Sequence, residues 1–309
     1  MNRICVLGSM NMDIVLKVKN MPQVGETIMS KSMEKIAGGK GANQAVAAKR
    51  SGAEVYMIAK VGRDDNGMIL TEELEKDNID VRYVFKDDKE PTGMAIINVD
   101  DNGDNSIIVV SGANMAINSN EINSTEGAIE ESNIVITQFE TPMDMSIEAF
   151  KLAKKHDKLT ILNPAPAREI DDELLKYTDI IIPNETEAAL LTNIEVKDLD
   201  SGKRAAEEFF KKGVKCVIIT LGEKGAAVIT KENSEIVRAY KVEAIDTTAA
   251  GDSFIGALSS TIDAENLSFE DIKAAVRFGN KVSSIAVQRK GAQPSIPYLN
   301  EVLDIYKEA

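Results

Sequence analysis

The 309-residue chain has no tryptophan, one histidine, two cysteines and only 5% aromatic residues. With His156 alone, at a polar helix end in Ala-Lys-Lys-His-Asp-Lys, a histidine triad or a zinc cluster is excluded by inventory. Cys5 and Cys216 fall in apolar, strand-like runs, so buried free thiols in a reducing compartment are expected. Basic residues are in deficit: 36 Lys and Arg against 50 Asp and Glu give a formal charge of -14. Such a surface disfavours nucleic acid or an anionic membrane as the main partner. No apolar run approaches transmembrane length, and Met1-Asn-Arg leads straight into a strand. The expectation is a cytoplasmic chain with no signal peptide. Internal repeats and low-complexity segments are also lacking.

What is present alternates. Near-continuous apolar runs at residues 3–7, 55–61, 134–139, 159–162, 179–183 and 216–220 read as strands covered on both faces. Helical patterns at 66–77, 145–155, 171–177 and 202–212 separate them, with more helix at 269–288 and 298–307. This predicts an α/β fold around a mainly parallel sheet. Two stretches break the rule: residues 14–37 and 91–110 hold half-exposed strand patterns with no helix after them. They are expected to form a small sheet standing off the main body, its apolar face covered by a ligand, the main body or a second subunit.

The densest chemistry lies in Asp246-Thr-Thr-Ala-Ala-Gly-Asp252. The alternating run 236–246 reads as a strand ending on a carboxylate; small residues then open an apolar helix with Asp252 in its first turn. Amides of Ala249, Ala250 and Gly251 at that positive helix end suit an anion, most often a phosphate. A carboxylate base beside an anion hole is what phosphoryl transfer to a hydroxyl requires. The plainer alternative is a helix with an acidic first turn.

Other motifs carry paired readings. Gly38-Gly-Lys-Gly-Ala-Asn-Gln44 is neither a Walker loop nor a dinucleotide fingerprint, since Glu34, Gly41 and Gln44 stand where those patterns need other residues. It is a glycine-dense entry to a helix at 43–51, offering Lys40 and Asn43 to a ligand or simply meeting a backbone need. Asn11 and Asp13, beyond the first strand, can share a polyol's hydroxyls or sit in a plain turn. Asn184 and Glu187 can hold Mg²⁺ through water or form a helix cap. Thr220-Leu-Gly-Glu-Lys-Gly225 can pass under a nucleotide or be a bare hairpin loop. Gln288-Arg-Lys-Gly-Ala-Gln-Pro-Ser295 can offer carbonyls to a monovalent cation or merely end a helix.

Together with Asn163-Pro-Ala-Pro-Ala-Arg168, these motifs resemble in order and spacing those of the ribokinase-like (PfkB) carbohydrate kinases, over almost the whole chain. The resemblance implies one three-layer α/β/α domain over 1–309 with a β lid from about 14–37 and 91–110, and a homodimer joined through the lids. It implies ATP-dependent phosphorylation of D-ribose at O5, with Mg²⁺ on the phosphates and K⁺ nearby. Asp252 matches the base, and Ala249, Ala250 and Gly251 the anion hole. Asn11, Asp13, Gly39, Lys40, Asn43 and Glu140 match sugar contacts. Asn184, Thr220, Gly222, Gly225, Gly251 and Asn280 match nucleotide contacts. Asp246, Thr248, Ala286, Arg289, Gly291 and Ser295 match a potassium site, and Glu187 an indirect Mg²⁺ contact. A sister kinase acting on 2-deoxyribose, another sugar or a nucleoside, or a catalytically silent sugar sensor, are the alternatives.

Overall fold

Ile4 and Val6 pack to one side of the first strand while Cys5 and Leu7 pack to the other, and this alternation founds the architecture. The computed structural model describes residues 1–307. Its first strands are β1 (Arg3–Leu7), β2 (Asn11–Lys17), β3 (Ser32–Gly38), β4 (Glu54–Gly62), β5 (Asp80–Asp87), β6 (Gly93–Val99) and β7 (Asn105–Val110). Then come β8 (Ile134–Thr137), β9 (Leu159–Leu162), β10 (Ile180–Ile181), β11 (Cys216–Thr220), β12 (Ala226–Ile229) and β13 (Ser234–Val237). Nine of them form one sheet, ordered β13-β12-β11-β10-β9-β8-β1-β4-β5. Its pairs are parallel except β11–β12 and β12–β13.

Helices cover both faces, as buried strands require. They are α1 (Lys40–Arg50), α2 (Asp65–Lys76), α3 (Ser119–Ser124), α4 (Glu126–Glu131), α5 (Met143–Lys155), α6 (Asp172–Lys176), α7 (Glu185–Thr192), α8 (Leu199–Lys211), α9 (Ala250–Thr261), α10 (Phe269–Ala286) and α11 (Leu299–Ile305). One core gathers α1, α2, α9 and α10 against the sheet, through Val46, Leu70, Phe254 and Val276. The other gathers α5, α6 and α8, through Phe150, Leu174 and Phe209. The three-layer α/β/α arrangement is therefore present. Cys5 and Cys216 are buried and form no disulfide, their thiols pushed up to about 12 by burial.

The two stretches that broke the helix–strand alternation form a second sheet, β3-β2-β6-β7. β2 pairs antiparallel with β3 and parallel with β6, so segments far apart in sequence are joined. β7 is exposed along its whole length, with Ile107, Ile108 and Val109 each more than half exposed.

Two expectations need correction, and one strand was missed. The strand read over 236–246 ends at Val237, which faces Ala226, the first residue of β12; beyond it there is no partner to pair with. The chain from there is held by α10 instead, Asn280 Nδ2 donating to Val237 O and Arg238 O, and Ile245 and Asp246 N–H donating to Val287 O. The edge strand β5 was not foreseen, because its alternating DVRYVFKD pattern is only half buried. The helix after the glycine entry starts at Lys40 rather than 43, since Gly39 already supplies the positive φ of 93° that precedes it.

Candidate active site

Chain geometry brings the glycine entry and the Asp252 helix to one point. Gly41 packs on Gly8, so closely that a Cβ on it would stand 2.5 Å from Gly8 C. Gly39, at φ 93°, leaves 2.7 Å between such a Cβ and Asn11 N. These contacts answer the backbone alternative for the motif: Gly39 and Gly41 are required by close approach and by a conformation other residues reach only at a cost. The same contacts press the start of α1 against the β1–β2 corner. Behind it, α1 and α9 pack through Gly256, whose Cβ would meet Gln44 O at 2.5 Å.

Asp252 is thereby carried from α9 to the side chains of α1. Asn43 Nδ2 donates to Asp252 Oδ2 at 3.1 Å, and Gln44 Nε2 donates to Asp252 Oδ1 at 3.0 Å. Asn43 Oδ1 is buried with no partner among the described residues, an acceptor left for a ligand hydroxyl. Lys40 N–H donates to Glu140 Oε2 at 3.3 Å, and Ser9 Oγ donates to the same oxygen. Asn11 and Asp13 are not in a turn: they open β2, Asn11 Oδ1 accepting from Asn114 Nδ2 at 2.7 Å.

Charge is concentrated here. Burial, then the neighbouring carboxylates Glu140 and Asp252, raise Asp13 to about 7. Burial disfavours the Lys40 ammonium, but Asp252, Glu140 and Glu187 outweigh it and raise its pKa, so Lys40 stays charged. Glu187 is raised, mainly by burial. The site is a cation ringed by carboxylates, a setting for hydroxyls on one side and an anion on the other.

A cleft of about 500 Å³ opens from Lys40 and Asp252 across the helix mouth to Asn184, Thr220, Gly222, Gly225 and Asn280. Ala249, at φ 58°, precedes α9 in the left-handed region. The Ala250 N–H donates to Thr247 O at 3.1 Å, so of the three amides matched to an anion hole it already has an acceptor. A Cβ on Gly251 would meet nothing within 4 Å; the space beside it is open. Asn184 and Glu187 form the helix cap foreseen as the alternative, Asn184 N–H donating to Glu187 Oε2 at 2.9 Å and Glu187 N–H to Asn184 Oδ1 at 2.7 Å. The loop after Thr220 is a hairpin loop and lines the cleft as well. A larger cavity of about 960 Å³ beside Arg168, Leu190 and Phe209 shares none of these residues.

The six residues matched to a potassium site divide. Asp246 Oδ1 accepts from Thr248 N at 2.9 Å and Oγ1 at 2.6 Å, while Asp246 Oδ2 accepts from Gly291 N at 2.9 Å. Burial raises the Asp246 carboxyl, but these donors together hold it below the usual carboxylate value. Ala286 O accepts from Arg289 N, and the Arg289 guanidinium pairs with Glu301 at 2.7 Å. Ser295 Oγ donates to Ala292 O. No group of three or more His, Cys, Asp or Glu side chains able to hold a metal occurs among the described residues.

Three supporting residues escaped the sequence reading. Gln44 and Asn163 lay inside quoted motifs, but only the fold shows Gln44 joining Asn163 to Asp252. Asn114, a hundred residues from Asn11, had no local signal at all.

The comparisons agree with this fold. Residues 1–299 match the model of the pfkB family of carbohydrate kinases. The chain is 44% identical over 302 residues to a ribokinase of Staphylococcus aureus (strain COL), covering 97% of this chain and 98% of that one. It is 42% identical to a ribokinase of Haemophilus influenzae, covering 98% of each. The structure of Arabidopsis thaliana ribokinase complexed with ribose and ATP superimposes with a TM-score of 0.92 at 33% identity, over 100% of this chain and 99% of that one. With the family model running from the first strand to α11, the chain belongs to the pfkB family of carbohydrate kinases.

Proposed function

We propose that this chain transfers the terminal phosphoryl group of ATP to O5 of D-ribose, giving D-ribose 5-phosphate and ADP. The observation that carries the reading is the position of Asp252, held by Asn43 and Gln44 at the junction of the carboxylate-lined pocket and the open cleft. The relatives named ribokinase, matched over nearly their full length, support ribose as acceptor and ATP as donor.

Ribose hydroxyls fit the unpartnered Asn43 Oδ1 and the carboxylates of Asp13 and Glu140. The nucleotide fits the cleft lined by Asn184, Thr220, Gly222, Gly225 and Asn280, with its terminal phosphate beside Gly251. Asp252 takes the O5 proton as the O5–P bond forms and the bond from phosphorus to the ADP oxygen breaks. In a loose transition state that proton can leave late, so a weak carboxylate base suffices. The amides of Ala249 and Gly251 and the Lys40 ammonium face the charge that develops on the transferring group.

Mg²⁺ fits as an ion carried by the phosphates and water, since the described residues offer no carboxylate cage and Glu187 keeps one carboxylate oxygen outside its cap. A potassium ion fits beside the ionised Asp246, where it would order the loop through Thr248 and Gly291 without touching the reacting atoms. The second sheet acts as a lid over the sugar, and its bare β7 face joins two chains into a dimer. Buried Cys5 and Cys216 suit a cytoplasmic chain.

A coupled ADP-release assay with ATP and Mg²⁺ tests the reading. Ribose, 2-deoxyribose, fructose and adenosine are compared, each in potassium and in sodium. Preference for ribose, raised by potassium, is expected. Preference for another acceptor would replace the substrate, and sugar binding without turnover on any of them would indicate a sensor.

A further inference from the structure

We propose that Gln44 is a positioning residue for Asp252, and that a main-chain carbonyl sets which end of its amide the base meets. The proposal deepens the reading of Asp252 as the base and rests on it. An amide side chain is nearly the same shape either way round, but only its nitrogen end donates. Ile182 O can only accept, and it takes an N–H from Asn163 Nδ2 at 3.1 Å. Asn163 therefore turns Oδ1 to Gln44, which must answer with Nε2, at 3.1 Å. The same nitrogen donates to Asp252 Oδ1 at 3.0 Å. At the other end, Gln44 Oε1 accepts from Gln138 Nε2 at 2.7 Å.

The ladder thus runs from the ends of three neighbouring strands, at Gln138, Asn163 and Ile182, through one residue of α1 to the carboxylate on α9. It is dry: Gln44 and Gln138 are 0% exposed, Asn163 6% and Asp252 8%. A reversed Gln44 amide would set oxygen against oxygen away from water, where an unmade bond has nothing to replace it. With Asn43 holding Oδ2, each Asp252 oxygen accepts one fixed donor, and the carboxylate cannot turn. The lone pairs that remain are the ones that can receive the O5 proton.

The test is steady-state kinetics of Gln44→Leu, Gln44→Glu, Asn163→Leu and the Gln44→Leu/Asn163→Leu double variant beside Asp252→Asn, with a melting curve for each. Gln44→Leu is expected to lower kcat by about 10- to 100-fold while the ribose KM stays within about threefold. Gln44→Glu keeps the shape but presents oxygen to Asp252, and should lose at least as much; it decides the matter if the leucine variant does not fold. Asn163→Leu should lose less, and the double variant should match Gln44→Leu rather than the product of the two losses, because both act through one contact. Near-normal kcat in Gln44→Glu, or a change in KM with kcat intact, would reduce Gln44 to packing and overturn the proposal. Wild-type turnover in Asp252→Asn would instead remove the base on which it rests.

Discussion

The Asp13 carboxylate fills the space where a side chain on Gly38 would begin: a Cβ there would stand 2.3 Å from Asp13 Oδ2. The strand pair β2–β3 thereby delivers a crowded acid to the mouth of α1, where burial and then Glu140 and Asp252 raise it to about 7. Between the unfolded carboxyl's value of about 3.9 and that raised value, the folded chain holds a proton that the unfolded chain has released. This group's contribution to stability is therefore favourable at low pH and lost as pH rises through that window. Asp13→Asn should melt higher than the parent at about pH 8, with the difference shrinking towards about pH 4.5, while its ribose KM rises. A variant no more stable at the higher pH would show that the crowding carries no penalty.

Gly251 separates a steric need of the fold from one of the ligand. Since its Cβ would touch nothing and its φ is not positive, Gly251→Ala should melt as the parent does, or gain up to about 1 kcal/mol. The added methyl would nonetheless stand where the phosphate approaches, and kcat/KM for ATP should fall by about tenfold or more. Parental kcat/KM would place the phosphate elsewhere.

Asp246 is the acceptor for Thr248 and Gly291 together. Asp246→Ala should abolish the difference between rates in potassium and in sodium, with the ribose KM little changed. Full potassium stimulation in the variant would remove this loop from the ion's site.

On β7, Ile108 is 59% exposed in a run of apolar neighbours. Light scattering should give a dimer for the parent and a monomer for Ile108→Lys. A parent of monomer mass, or an unchanged dimer in the variant, would contradict association through this face.

The main sheet was legible because strands such as β1, β8 and β9 are short, mainly apolar runs, as burial on both faces requires. The second sheet was legible by default, as paired strand patterns with no helix between β2 and β3 or between β6 and β7. What failed depended on partners: 236–246 alternates like a strand but outruns β12, and β5 is an edge whose polar half hides it. In the site, carboxylates and glycines announced themselves through motif spacing. Gln44, Asn163 and Asn114 did not, because their meaning lies in hydrogen bonds made across the fold.

The base itself is tested most directly by single-turnover phosphorylation of ribose by Asp252→Ala, with ribose affinity measured on the same preparation. A fall in the chemical rate on the order of 100-fold or more, with ribose Kd nearly unchanged, is the expected result. A near-normal rate would contradict the assignment of Asp252 as the residue that takes the proton.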